Sequence, residues 1–177
     1  MSESGHAHLR VDGVSAVSVH RCLVFDMPAS AEVAFDAFHY HFWRPRWDSL
    51  VRRTAVEGDR EHPVVGAVSD NAAAGWLRGL SMRTRFVAYD RPRLAAATMV
   101  GHAFPFQRWA ASMRHEPLGA QHSRLIYTYT LQARWPWLEP WVARAFERAT
   151  RRRFARLMAF LANHAHEVRD WQGRRCA

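Results

Sequence analysis

The last quarter of the chain carries one long apolar stripe. Val142, Phe146, Phe154, Leu157, Met158, Leu161, Ala165 and Val168 recur at three- and four-residue spacing, with Thr150 as the polar member. That period predicts a single helix from Trp137 to Val168. Arg144, Arg148, Arg152 and Arg156 follow one another every fourth residue on its other side. A helix of roughly 45 Å, at about 1.5 Å per residue, cannot cover such a stripe alone. A sheet is the natural partner, and the preceding chain supplies strands.

From Ser15 to Asp26 the chain is β-branched and apolar, which predicts a strand that stops at Met27-Pro28. Ser30 is placed as the N-cap of a short helix that buries Val33, Ala34, Phe35 and Phe38. The aromatic stretch from Tyr40 to Trp47, broken by Pro45, reads as a second short helix or an irregular turn. Further strands are expected from Ser49, from Val64, over Leu77–Tyr89, Leu94–Val100, Phe106–His115 and Arg124–Arg134. Leu80, Met82, Thr84, Phe86 and Ala88 alternate onto one face, as do Trp109, Ala111 and Met113, and Leu125, Tyr127, Tyr129 and Leu131. Short turns between consecutive strands predict an antiparallel meander. The fold class is therefore α+β: about seven antiparallel strands against a long C-terminal helix, with two short helices after the first strand. We expect residues 1–13 to be a flexible segment, 14–169 one domain, and 170–177 a tail.

Composition adds a core-forming hydrophobic share of 49% and a net charge of +9. Every basic residue is Arg. An Arg-rich surface fits anionic lipid, nucleic acid or acidic partners, and equally a codon bias. Glu147, four residues before Arg151, suggests ordinary salt-bridge support on a solvated helix face, so nucleic acid is disfavoured. Cys22 is expected as a small buried side chain, Cys176 lies in the tail, and the two form no metal or redox motif. The polar N-terminus and the absence of a spanning apolar run predict a soluble cytoplasmic protein.

The chemical motifs are mostly negative. Of the eleven histidines, His39 and His41 are two apart, as are His164 and His166, so neither pair shares a helix face and no metal is expected. Gly79-Leu80-Ser81-Met82-Arg83 lacks the second glycine of a nucleophile elbow. No glycine loop cradles a phosphate. No cofactor is expected. Small residues at Ala95, Ala96, Ala97, Ala110, Ala111 and Ser112 either allow close helix–sheet approach or leave room for a ligand.

The strand ending at Asp26 followed by Pro28-Ala29-Ser30-Ala31-Glu32-Val33-Ala34-Phe35-Asp36, the Trp43–Trp47 segment, Arg85-Phe86-Val87-Ala88-Tyr89-Asp90-Arg91-Pro92 and the amphipathic last helix come in a recognisable order. Together, over roughly residues 15–168, they resemble the START-like helix-grip (SRPBCC) superfamily, in its polyketide cyclase/dehydrase-type branch. The resemblance implies a curved sheet wrapped around the last helix, with a cavity for an apolar molecule between them. It implies binding of a lipid- or polyketide-like ligand. The catalytic version is a cyclase or dehydratase, and whether this chain is an enzyme stays open. The alternatives are a non-catalytic carrier or sensor, and an Arg-rich protein that binds anionic surfaces. Trp47 and Arg85 are the nearest matches to a Trp and an Arg that orient the polyketide in such cyclases. Parity sets Arg85 opposite Met82 and Phe86, so it faces solvent unless a bulge re-aims it. Expected ligand contacts are Trp47, Met82, Thr84, Phe86, Trp109, Met113, Tyr127, Tyr129, Phe154 and Met158; each is equally a residue of a packed core. No catalytic residue is named.

Overall fold

The computed structural model describes residues 18–48, 51–56, 62–73 and 81–176. In chain order they form β1 (Val19–Met27), α1 (Ala31–His39), a 3-10 turn (Arg44–Arg46), β2 (Val51–Val56), β3 (Val68–Ala73), β4 (Ser81–Asp90), β5 (Leu94–Met99), β6 (Phe106–Gly119), β7 (His122–Ala133), a second 3-10 turn (Pro136–Leu138) and α2 (Glu139–Cys176). The strands make one sheet in the order β1-β7-β6-β5-β4-β3-β2. Every pairing is antiparallel. β2 to β7 is the expected meander, and β1 closes the far edge against β7. This is the helix-grip arrangement: a curved sheet, with α1 and α2 on its inner face.

Local chemistry sets the joints. The Ser30 hydroxyl accepts the N–H of Val33 and caps α1. The buried Glu139 carboxylate accepts the N–H of Ala133 at 3.2 Å, tying the end of β7 to the first turn of α2. Asp36, buried on α1, receives Nε and Nη2 of Arg91 at 2.7 and 2.9 Å. Gln172, on the last turns of α2, also donates to Asp36. Two of the sequence stretches that suggested the fold, ending at Asp36 and at Arg91-Pro92, are thus the halves of one bidentate clasp.

The stripe on α2 is buried as expected. Phe154, Leu157, Leu161 and Val168 have no exposure, and Thr150 is buried with them. Arg144, Arg148, Arg152 and Arg156 are exposed. The helix does not stop at Val168. It runs on to Cys176 through the segment read as a tail, because Trp171 and Gln172 still have α1 and its neighbouring turn to pack on.

Two expectations about facing are corrected. Cys22 is exposed, because β1 alternates and Cys22 shares the outer face with its partner Thr128. Ala88 does not share the face of Phe86. The pairing of β4 with β5 slips at Val87, so Phe86 opposes Ala97 and Tyr89 opposes Ala95, both inward. The bulge therefore turns Tyr89 into the core and leaves Arg85 exposed on the outside. Of the small residues, Ala95, Ala97 and Ala111 sit on the inner face, while Ala96, Ala110 and Ser112 take the alternate, outward positions.

Candidate functional site

The inner face of the sheet and the two helices enclose an aromatic wall. Phe154 of α2 stacks near Phe25, Phe38 and Tyr127, with ring centroids 4.8, 6.0 and 5.2 Å apart. Tyr127 and Tyr129 are 5.8 Å apart, and Phe146 lies 4.8 Å from Tyr129 and 6.4 Å from Trp109. Trp47 donates its indole N–H to the Ala37 carbonyl at 2.9 Å and packs beside Phe38. Met113 is buried in the same cluster, and Met158 packs against it. Seven of the expected contacts therefore meet on one surface: Trp47, Trp109, Met113, Tyr127, Tyr129, Phe154 and Met158.

The other three lie apart. Phe86 belongs to a smaller cluster with Phe35 and Ala95. Thr84 is buried and exchanges a 2.9 Å hydroxyl bond with Ser69, and Asn71 donates to both oxygens. The partly buried Met82 lies opposite Asn71 and lends it its carbonyl.

Three polar constellations accompany these clusters, the first of them in the wall itself. The first is charged. Asp48 accepts Nε of Arg44 at 2.9 Å and Nε of Arg153 at 3.0 Å. The Asp48 side chain is wholly buried, and the two arginine side chains keep 13% of their surface each. Both guanidiniums lie over the Phe38 ring, at 5.1 and 4.6 Å. Burial pulls the Arg44 guanidinium down to about 10, with Arg153 adding to the effect and Asp48 opposing it. Burial alone would raise the Asp48 carboxyl, but the charges and hydrogen bonds of Arg153 and Arg44 hold it below its ordinary value. Burial raises the Tyr127 phenol, which feels both arginines. Two cations meet one anion, so the cluster has one positive charge in excess among the described residues.

The second constellation is neutral. His39 shares a 2.9 Å bond between Nδ1 and the Phe35 carbonyl. Among the described residues, neither ring nitrogen of the buried His115 has a partner, and the buried Tyr89 hydroxyl has none either. Burial lowers His39 well below the usual imidazole range, helped by His115, and brings His115 down to about 4. The His39 ring lies 5.6 Å from Tyr89, and His115 packs on the same Phe35 ring as both; neutral imidazoles are groups that can take and return protons. The Ser69–Asn71–Thr84 network is the third, and it offers hydroxyls and an amide.

Sequence reasoning missed Arg44, Asp48, Arg153, His39, His115 and Tyr89. Some signals were present. Arg153 comes three residues after Thr150 and four before Leu157, which puts it on the buried stripe. His115 continues the alternation of Ala111 and Met113. The Tyr89 position depends on the bulge at Val87, and alternation alone gives the wrong face.

A half-open groove of about 590 Å³ lies elsewhere, lined by the outward residues Thr98, Ala110, Thr130 and Gln132 with Ser18 and Arg108. Trp109 is the one expected contact that borders it. Among the described residues no group of His, Cys, Asp and Glu could hold a metal ion. No described helix is long and apolar enough to cross a membrane.

The sequence model of a family described as polyketide cyclase/dehydrase and lipid transport matches residues 17–165. The chain belongs to that family. Solved structures give this polyketide cyclase/dehydrase-type chain the same fold at low identity. An aromatase/cyclase from Streptomyces sp. R1128 is 12% identical, with a TM-score of 0.71 over 84% of this chain and 96% of that one. Norcoclaurine synthase from Thalictrum flavum, in complex with dopamine and hydroxybenzaldehyde, is 12% identical, with a TM-score of 0.62 over 93% and 98%. Ara h 8.0201 is 12% identical, with a TM-score of 0.67 over 82% and 99%. A search of curated proteins gives no significant match.

Proposed function

We propose that this family member binds a hydrophobic, lipid- or polyketide-like molecule between the inner face of the sheet and α2. The observation that carries the reading is the Arg44–Asp48–Arg153 cluster set into the aromatic wall beside Tyr127. An apolar body would lie on Phe154, Tyr127, Tyr129 and Trp109. A carbonyl, enolate or carboxylate at one end would meet the surplus guanidinium charge and a phenol held protonated. Apolar pockets gain specificity from a few such polar groups.

A catalytic form of this reading is favoured by the second constellation. Neutral His39, its ring 5.6 Å from that of Tyr89, and His115, packed with Tyr89 on Phe35, could move a proton in a cyclisation or dehydration, while the wall holds a flexible chain in one fold. The non-catalytic form is a carrier or sensor using the same wall.

Native mass spectrometry of freshly purified protein, followed by a thermal-shift screen, tests the common part. A retained apolar mass, or a rise in melting temperature with long-chain acids or aromatic polyketide analogues, is expected. No retained mass and no shift with any apolar compound would end the proposal. Incubation with a poly-β-carbonyl analogue separates the two forms. A ligand recovered unchanged leaves the carrier, and a dehydrated or ring-closed product loses its rate in His115→Leu and Tyr89→Phe.

A further inference from the structure

Four large aromatic side chains stand in solvent around the start of α2. Trp137 and Trp141 are 73% and 68% exposed, Phe104 57% and Trp135 40%. They are neighbours. The N–H of Arg134 bonds the Pro105 carbonyl at 3.0 Å, which lays the β5–β6 turn beside the β7–α2 connection. Phe104 and Trp135 rings are 6.1 Å apart. Trp137 and Trp141 are four residues apart, across the 3-10 turn and the first turn of α2. Monomeric proteins rarely leave such a set unpartnered.

The cations of this surface are interleaved with the rings. Arg134 lies 5.6 Å over Trp135, and Arg144 lies 5.9 Å over Trp141. Arg108, Arg144 and Arg148 are exposed nearby in the chain. Between Glu116 and Glu147 the sequence has one carboxylate, Glu139, and it is buried against the Ala133 N–H. The patch is therefore aromatic, cationic and free of exposed acid over that stretch.

We propose that this surface docks the protein on an anionic lipid bilayer. Indole rings settle at the headgroup level, where one side is apolar and the other wet. Arginines beside them meet phosphate oxygens, and anionic leaflets attract each one. A second copy of the chain is a poorer occupant. A two-fold interface would set the same patch against itself, Arg134 and Arg144 facing like charge, whereas the cores of stable interfaces are depleted of charge. The inference rests on exposed residues outside the aromatic wall and stands independently of the ligand reading. It also gives the Arg144–Arg148 end of the α2 stripe a role that a merely solvated face would lack.

Vesicle co-sedimentation tests it, with phosphatidylcholine alone and with roughly 30% phosphatidylglycerol added. The protein is expected on the anionic vesicles, with a blue shift of tryptophan emission, and to leave them as salt rises. Trp137→Ser with Trp141→Ser should weaken binding about tenfold or more while circular dichroism and melting stay unchanged. Arg134→Gln with Arg144→Gln should weaken it roughly 30-fold at low salt. Three results would overturn the proposal: no binding to either vesicle, undiminished binding by the tryptophan variant, or a solution dimer that the tryptophan variant dissociates while vesicles stay bare.

Discussion

Two of the polar groups buried against the inner face of the sheet are opposite in character. Around Phe154, Asp48 holds two permanent cations, each hydrogen-bonded to it. Around Phe35, two imidazoles and a phenol sit among Phe86 and Ala95 with almost no polar partners among the described residues. The contrast follows from what each side chain can do on leaving water. A guanidinium cannot shed its charge at any ordinary pH, so it is buried only with a counter-charge. An imidazole can become neutral, and then needs at most a hydrogen bond. The charged end is thus suited to holding an oxygen in place, and the neutral end to exchanging a proton.

The difference can be broken at its strongest point first. Asp48→Ala leaves Arg44 and Arg153 buried without their anion and should cost about 3–5 kcal/mol in urea unfolding at pH 7. A loss below about 1 kcal/mol would mean that the arginines are in effect solvated. Replacing the trio together, as Asp48→Leu, Arg44→Met and Arg153→Met, should restore most of the loss, since no charge then remains to be paired.

Acid separates the two regions on one axis. A histidine held near 4 when folded, against an ordinary 6.5, binds its proton in the unfolded chain first. Its stabilisation is complete above about pH 6.5 and drains away as pH falls toward 4. For His115 this amounts to about 3 kcal/mol. His39 contributes in the same direction, and so does His41, which burial and Arg44 bring to about 4. The depressed Asp48 carboxyl gives the converse. Its stabilisation holds above its ordinary value and is lost only as pH falls below about 4. Melting curves from pH 7 to 3 should show these two stages in that order. His115→Leu should lessen the first stage by its share and leave the second alone; an unchanged first stage would place the titration elsewhere.

The smallest effect is the control. Glu147→Gln removes the exposed pair with Arg151, bonded at 2.9 Å, and should change stability by less than about 1 kcal/mol, less still in high salt. A larger loss would show that geometry alone, without burial, gives such pairs their strength.

Much of the architecture was legible because it rests on periodicity. The stripe from Val142 to Val168, the Ser30 cap and the alternation of Leu125 to Leu131 need no tertiary knowledge. In the aromatic wall, Trp109, Met113, Tyr127 and Tyr129 follow from the same alternation, Phe154 and Met158 from the helix stripe, and Trp47 from the family resemblance. The polar part was harder. Arg44 and Asp48 come from a turn with no period, and they matter only because α2 brings Arg153 to them from 105 residues away. Strand parity, which puts Ala88 on the face of Phe86 and so turns Tyr89 outward, assumes an unbroken ladder, and Val87 breaks it. Cys22 was assigned inward on hydrophobicity, whereas its place in the β1 alternation decides otherwise.

The bond between Asp36 and Arg91 spans 55 residues and encloses all of β2, β3 and β4. That excursion is moored at both ends by a fixed point. Lengthening a flexible loop carries only a slowly growing entropic cost. Descendants of this chain could thus remodel one edge of the sheet, by insertion or deletion, while the β1, β6 and β7 side keeps its coordinates. Changes in length should accumulate between those two residues sooner than beyond them.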